Sequence, residues 1–245
     1  MGLRLACDLD GTVADMDAAL QREARRLYGP DVDIHASHRP PLESAEDVEG
    51  ELAPDAGIEN GETAPAASQP AGRALTRSEL RRLWSRVGEI ENFWQSLGEI
   101  EPGAVARLAS LAAGTRWEVL FLTQRPSSAG DTVQVQSQRW LRAHGFELPS
   151  VFVMHGSRGR VADALSLDAV LDDRPENCLD VVTDSTAAPY LIWRHDRDAV
   201  PPALRLTRTQ VMYSFGEALD RLEALAAERA SRQTLMGRVR SAIGL

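Results

Sequence analysis

The sequence predicts an α/β protein built on a doubly wound, mainly parallel sheet. Short apolar runs alternate with helix-length amphipathic segments from residue 103 to residue 193, the pattern of strand–helix–strand units. Three of the runs end in polar residues of a consistent kind: Asp8 and Asp10, Thr123, and Asp172 with Asp173. In a parallel sheet such strand ends converge on one crevice.

Residues 3–7 form the first strand and lead into Asp8-Leu9-Asp10-Gly11-Thr12. With Leu9 between them, the two Asp side chains leave an extended backbone on the same side. Gly11 lets the chain turn away without a Cβ penalty. Residues 13–28 read as a helix with Met16, Leu20, Ala24 and Leu27 on one side, ended by Gly29-Pro30. Residues 31–73 hold ten acidic residues, two Arg, five Pro and no aromatic residue. Such a stretch buries little apolar surface and reads as a mobile acidic insertion.

Thr76-x-x-Glu79 is a capping box, followed at helical spacing by Leu80, Leu83, Trp84, Val87 and Ile90. Phe93 and Trp94 come next, then a break at Glu101-Pro102-Gly103 and a helix over residues 104–111. Residues 117–122 form a strong strand ending in Thr123-Gln124-Arg125-Pro126. Residues 131–144 read as a helix whose Val133, Gln136, Trp140 and Leu141 face inward. A short strand at 151–154 and a short helix at 161–165 follow. Residues 169–171 form a strand running into Asp172-Asp173-Arg174-Pro175, with Pro175 suited to a first helical position. Residues 190–193 make a further strand, and 214–232 a final helix packed outside.

The chain of 245 residues is long enough for one large domain, or a core domain with a smaller one, and 43% apolar content allows a real core. A net charge of −9 argues against nucleic acid as the main partner. Cys7 and Cys178 are expected as free thiols in a reducing cytoplasm. No apolar run reaches membrane-spanning length, and the first residues lack a signal-type apolar core. All 27 basic residues are Arg. Composition bias is the plain explanation, but it means that any phosphate-binding cation here is a guanidinium, which stays charged and grips oxyanions in a fork.

The paired carboxylates of Asp8 and Asp10 suit a covalent nucleophile beside a general acid–base group. A calcium loop would need a Glu at the twelfth position, where Ala19 stands; an ordinary turn remains the bland alternative. If Asp8, Asp10, Asp172 and Asp173 gather, they repel. Two carboxylates about 4 Å apart cost on the order of 4 kcal/mol at an effective dielectric of about 20. A divalent cation relieves that, and oxygen ligands without His or Cys point to magnesium. An Arg from Gly156-Ser157-Arg158-Gly159-Arg160 and the Thr123 hydroxyl would complete a phosphate site. His35, His38, His144, His155 and His195 read as ordinary histidines, with His155 near a strand end. The basic, acid-free stretch 229–245 reads as a solvated helix face.

With these motifs in order, the chain resembles a haloacid dehalogenase-like (HAD) superfamily phosphatase: Asp-x-Asp-Gly-Thr at 8–12, an apolar strand ending in Thr123, a basic residue at 158–160, and the Asp pair at 172–173. The resemblance implies a Rossmann-like core with a small helical cap inserted after the first strand. It implies a core of residues 1–15 and 103–213, a cap of 16–102 containing the acidic insertion, and a C-terminal helix of 214–245. By the same likeness Asp8 attacks phosphorus and becomes an aspartyl-phosphate, while Asp10 protonates the leaving alcohol and then activates water. Asp8, Asp10 through its backbone carbonyl, and one or both of Asp172 and Asp173 hold Mg2+; Thr123 and Gln124 bind phosphoryl oxygens. The family usually carries Lys in the third motif. Of the two candidates here, Arg158 and Arg160, the latter is preferred because Gly159-Arg160-Val161 leads into a helix.

The second carboxylate, Asp10, resembles the phosphatases rather than the dehalogenases or the ATP-driven pumps. Phe93-Trp94, the Pro102-Gly103 break, Thr123-x-Arg125-Pro126, Trp140-Leu141 and Asp172-Asp173-Arg174-Pro175 look most like the 5′(3′)-deoxyribonucleotidase branch. That likeness implies small nucleotides as substrates, with Phe93, Trp94 and Arg125 at the substrate pocket. Aromatic faces suit nucleobases, although aromatic residues at helical spacing are more often core. The expected partner is a small phosphorylated metabolite, with no nucleic acid polymer and no membrane; homodimerisation is left open. Two alternatives stand beside this reading: a phosphatase for sugar phosphates or other small metabolites, and a weak family member that binds a phosphorylated ligand or partner without turnover.

Overall fold

The apolar runs become six parallel strands. The computed structural model describes residues 2–34 and 72–242. The strands in chain order are β1 (Arg4–Asp8), β2 (Ala14–Asp15), β3 (Gly98–Glu99), β4 (Glu118–Thr123), β5 (Ser150–Val153), β6 (Ala169–Asp172), β7 (Ala188–Ile192) and β8 (Gln210–Met212). The main sheet runs β5-β4-β1-β6-β7-β8 with every pair parallel. Cys7 of β1 pairs with Phe121 on one side and Leu171 on the other. Leu5, Ala6 and Cys7 are all buried, which is why β1 reads as a continuous apolar run and not as an alternation.

From β1 the chain builds β4 and β5 on one side, then crosses to β6, β7 and β8 on the other. This reversal at β1 is a topological switch point, where open α/β sheets bind ligands. The helices are α1 (Met16–Tyr28), α2 (Arg77–Glu89), α3 (Ala104–Thr115), α4 (Val133–Ala143), α5 (Arg158–Ala164), α6 (Pro175–Asp184), α7 (Pro202–Arg205) and α8 (Phe215–Ala242). Ala162 and Val181 pack with Ala6, Leu122 and Val170 of the sheet. Phe215, Ala218, Leu219 and Leu222 bury one face of α8; the Phe and each Leu are worth about 1.5–3 kcal/mol relative to exposure. No helix among the described residues is long and apolar enough to cross a membrane.

Three elements differ from the sequence expectation. β8, three residues long and only partly buried, is too short to show a period. Residues 14–15 pair antiparallel with 98–99, so the first helix begins at Met16 and not at residue 13. The cause is the turn after Asp10: Val13 N and Ala14 N both donate to Leu9 O, at 2.9 and 2.7 Å, and this spends the residues that would otherwise have opened the helix. The short helix expected at 161–165 starts earlier, at Arg158, because Ser157 caps it by accepting from Arg160 N at 3.2 Å.

The chain divides into two compact units, Met1–Ala19 with Val87–Leu245, and Leu20–Arg86. In the smaller unit Ala24, Val32, Leu75 and Leu83 form a core. Its α2 carries the expected capping box, with Glu79 N donating to Thr76 Oγ1 at 3.2 Å and Thr76 N to Glu79 Oε2 at 2.9 Å. Arg73 N donates to Asp31 O at 2.6 Å and Asp33 N to Arg73 O at 3.0 Å, tying together the two described ends of the acidic segment. Residues 35–71, the bulk of the expected insertion, lie outside the described residues. The expected cap extended to residue 102, whereas residues 87–102 belong to the larger unit. Trp94 fastens them there, its Nε1 donating to Pro126 O at 2.9 Å and its backbone N to Gln136 Oε1 at 3.1 Å.

Candidate active site

β1 and β6 are neighbours in register, and each ends in a carboxylate: Asp8 and Asp172. Two residues past β1 comes Asp10; one past β6 comes Asp173. Gly11 makes their approach possible. It has φ +80°, and a Cβ there would stand 2.0 Å from Asp173 Oδ2. Any other residue would strain the turn and push the Asp173 carboxylate aside.

The cation at this cluster is Arg158. Its guanidinium is 2% exposed; Nη2 donates to Asp8 Oδ1 at 2.7 Å, and Nε lies 3.5 Å from Asp172 Oδ2. Arg160, the preferred candidate from sequence, is elsewhere: its side chain is 85% exposed and lies 3.9 Å from Asp184. The correction follows from helix geometry. Residues two apart on a helix are about 200° apart around its axis, so only one of the pair can face the sheet. Gly159 between them has its own reason to be glycine: a Cβ there would meet Asp180 O at 2.1 Å. The backbones of α5 and α6 therefore pack closely, which holds Arg158 over the strand ends.

Burial pushes the Asp8 carboxyl well above the usual range, and the nearby Asp172 charge adds to it; Arg158 acts in the opposite direction, while Asp173 and Asp10 push it further up. Burial also raises Asp172, countered by Arg158 and by hydrogen bonds from Asn177 and the Arg174 backbone. The four carboxylates thus share one electrostatic neighbourhood, fed from strands whose residues are over 160 positions apart. Burial raises the thiol of Cys7, as do the Asp8 and Asp172 charges; Cys178 is raised too, so neither thiol acts as a nucleophile here.

Asp10 has different company. Arg125 grips it from Nε at 3.0 and 2.8 Å and from Nη2 at 2.7 Å, and Thr123 Oγ1 lies 3.4 Å from its Oδ2. Arg125, expected at the substrate pocket, has a fully buried side chain. Phe93 and Trp94 were expected beside it as stacking surfaces; at 1% and 0% exposure they offer a ligand no face. Trp94 instead lies under Arg125, 5.0 Å from guanidinium carbon to ring centroid. Gln124 is part-buried next to Thr123.

The oxygens gathered at this cluster are the groups that could hold a metal ion. Asp172 accepts from Asn177 Nδ2 on both oxygens at 2.9 Å and from Arg174 N at 2.9 Å. The Asp10 carboxylate is closed on Arg125. The metal was expected on the Asp10 backbone carbonyl and not on this side chain, and the Asn177 and Arg174 contacts orient Asp172. Asp8, the Asp10 backbone carbonyl and one or both of Asp172 and Asp173 are the groups that could hold it. No group of three His, Cys, Asp or Glu among the described residues is spaced as a cage. Magnesium does not require one, since it keeps several waters and takes one or two protein carboxylates. The hard oxygen donors, and the acidic charge that Arg158 leaves uncompensated at Asp8, fit that ion.

Three contributing residues carried no sequence signal: Asn177, which holds Asp172; Ser137, which accepts from Arg125 Nη1 at 2.9 Å; and Arg194. Arg194 donates to Gly11 O at 2.6 Å, Thr12 O at 3.0 Å and Glu101 Oε1 at 2.7 Å, bracing the turn that carries the first motif.

No protein-family model matches the chain, and no curated protein matches its sequence. Among solved structures, a HAD family hydrolase from Deinococcus radiodurans R1, determined with bound phosphate and sodium, is similar over 91% of this chain and 96% of its own, with TM-score 0.51 at 15% identity. At that identity the likeness is one of fold, and the chain has the α/β fold of a HAD family hydrolase.

Proposed function

We propose that this protein is a magnesium-dependent phosphomonoester hydrolase of the HAD type, acting through an aspartyl-phosphate. One observation carries the reading: Asp8 ends the central strand at the switch point, with the buried Arg158 guanidinium 2.7 Å from its carboxylate. A nucleophile and a phosphate-binding cation stand together where the fold binds ligands. Arg158 Nη1 is buried without a hydrogen-bond partner among the described residues. Such a donor is costly to leave unmet, and a phosphoryl oxygen would satisfy it.

In the first step an Asp8 carboxylate oxygen attacks phosphorus in line. The bond from phosphorus to the ester oxygen breaks, and Asp10 gives its proton to the departing alcohol. In the second step Asp10 takes a proton from water as the water oxygen attacks phosphorus. The Asp8–phosphorus link breaks, inorganic phosphate leaves, Asp8 is again a carboxylate and Asp10 is again the protonated acid. Mg2+ held by Asp8, the Asp10 carbonyl and one or both of Asp172 and Asp173 would supply charge neutralisation on the phosphoryl oxygens. Arg158 supplies the fixed part of that neutralisation.

The substrate is a small phosphorylated metabolite. Small nucleotides are the first class suggested by sequence, with sugar phosphates and similar metabolites beside them; the burial of Phe93 and Trp94 removes the stacking argument for the former. The free, buried Cys7 and Cys178 suit a reducing cytoplasm. A phosphate-release screen over phosphorylated metabolites, run with Mg2+ and with EDTA, tests the reading. Turnover in Mg2+ that disappears in EDTA and in Asp8→Asn supports it; activity retained by Asp8→Asn refutes the nucleophile.

A further inference from the structure

We infer that Arg125 is the positioning residue that aims Asp10 at the leaving-group oxygen, an inference that rests on the phosphatase reading above. Asp10 lies two residues beyond the end of β1, on the turn closed by Val13 N and Ala14 N donating to Leu9 O, and its side chain is 13% exposed. What fixes it is the Arg125 fork, three contacts between 2.7 and 3.0 Å, with only the Thr123 hydroxyl at 3.4 Å besides. The fork is itself immobile. Its third nitrogen donates to Ser137 Oγ on α4, and its face lies over the Trp94 ring. Trp94 in turn is pinned to Pro126 O and Gln136, and Gln136 Nε2 donates to Asp131 O at 2.6 Å and Ser128 Oγ at 3.0 Å.

Stability alone does not account for such an arrangement. A buried ion pair must repay the desolvation of both charges, and an apolar pair of similar volume often does as well or better. What the pair adds is direction. A two-pronged guanidinium sets the plane of a carboxylate, as a point-charge ammonium cannot. The fork also takes only part of Asp10's acceptor capacity. Two of its three contacts fall on Oδ1 and one on Oδ2; each carboxylate oxygen has two lone-pair sites, so Oδ2 keeps one beyond the fork, met only by the long Thr123 contact, to carry the proton handed to the departing alkoxide.

Leaving-group dependence separates this role from a merely structural one. An aryl phosphate such as 4-nitrophenyl phosphate expels a stable phenolate and needs little protonation. An alkyl phosphate such as glycerol phosphate expels an alkoxide and needs it fully. The readout is kcat/KM, which reports the steps through aspartyl-phosphate formation. In Arg125→Lys, kcat/KM for the alkyl ester should fall about 100-fold, the usual scale of a positioned general acid, with a much smaller loss on the aryl ester. Ser137→Ala removes one anchor of the fork, keeps both charges, and should shift the same ratio in the same direction by a smaller factor. It also decides the matter if Arg125→Lys does not fold. Equal losses on both esters, or an unchanged ratio in Ser137→Ala, would overturn the positioning role while leaving the phosphatase reading intact. A wild-type protein that releases no phosphate from any ester would overturn the phosphatase reading itself.

Discussion

Two buried arginine–aspartate pairs flank the end of β1, and they are built differently. Arg125 meets Asp10 through a complete fork, with its remaining nitrogen on Ser137 and an aromatic ring against its face. Arg158 meets Asp8 through one nitrogen, reaches Asp172 only at 3.5 Å, and keeps Nη1 without a partner among the described residues. One pair is closed and the other is open. A closed pair fixes a group in place; an open pair holds charge and donors ready for something that arrives. The carboxyl of the open pair, Asp8, is the one pushed well above its usual range, by burial first and by Asp172 next.

The largest expected effect breaks the open pair from its acidic side. Asp8→Asn should lower phosphate release on the order of 10³-fold or more, the scale for loss of a covalent nucleophile. It should also melt at a higher temperature than the wild type in metal-free buffer at neutral pH. The sign follows from the raised Asp8 value. Where a folded carboxyl sits above its unfolded value, the folded state holds the proton more tightly. Stability is then full at acid pH and falls as pH rises through the raised value, against the charges of Asp172, Asp173 and Asp10 and with Arg158 opposing. Asparagine cannot ionise, so the gap between the two melting curves should close on acidification. Melting temperatures that fall in Asp8→Asn at neutral pH would contradict the open-pair description.

Breaking the same pair from its basic side should give the opposite sign of stability. Arg158→Gln leaves Asp8 and Asp172 facing each other, so it should melt earlier and lose about 10²–10³-fold in kcat/KM, the scale of one lost charge-stabilising donor. Arg160→Gln is the control. With its side chain 85% exposed and 3.9 Å from Asp184, it should stay within about twofold of wild type, since exposed ion pairs contribute little. Similar losses in both variants would return Arg160 to the site.

The contrast between these two arginines marks what was legible in the sequence. The strand ends were: the run of residues 3–7 and the pair Asp172-Asp173 carry their burial and position in local pattern, and the sheet places them as the period implies. The choice between Arg158 and Arg160 was not, because it depends on the phase of α5, set by the Ser157 cap and by how closely α5 meets α6. The fate of Arg125, Phe93 and Trp94 was not legible either. All three carry chemistry that suits a ligand, but long-range contacts to Gln136, Ser137 and Pro126 turn Arg125 and Trp94 inward, and Phe93 packs edge-on against Trp94. Local pattern gives a residue's neighbourhood along the chain; the direction of its side chain is decided by elements far away.

A smaller and more selective effect tests the open pair through its support. Gly159→Ala adds a methyl 2.1 Å from Asp180 O, a backbone atom that cannot swing aside. Either α5 shifts away from α6 or the helix distorts, at a cost on the order of 1–3 kcal/mol for overpacking, read as a lower melting temperature. The displaced Arg158 would then engage phosphate less well, so kcat/KM should fall by about tenfold, a fraction of the loss from removing the group outright. The Arg125 fork is anchored on α4 and Trp94, not on α5. The alkyl-to-aryl ratio should therefore stay at its wild-type value even as both rates drop. A ratio that moves with Gly159→Ala would mean that the two pairs are coupled and that the closed one is not independently held.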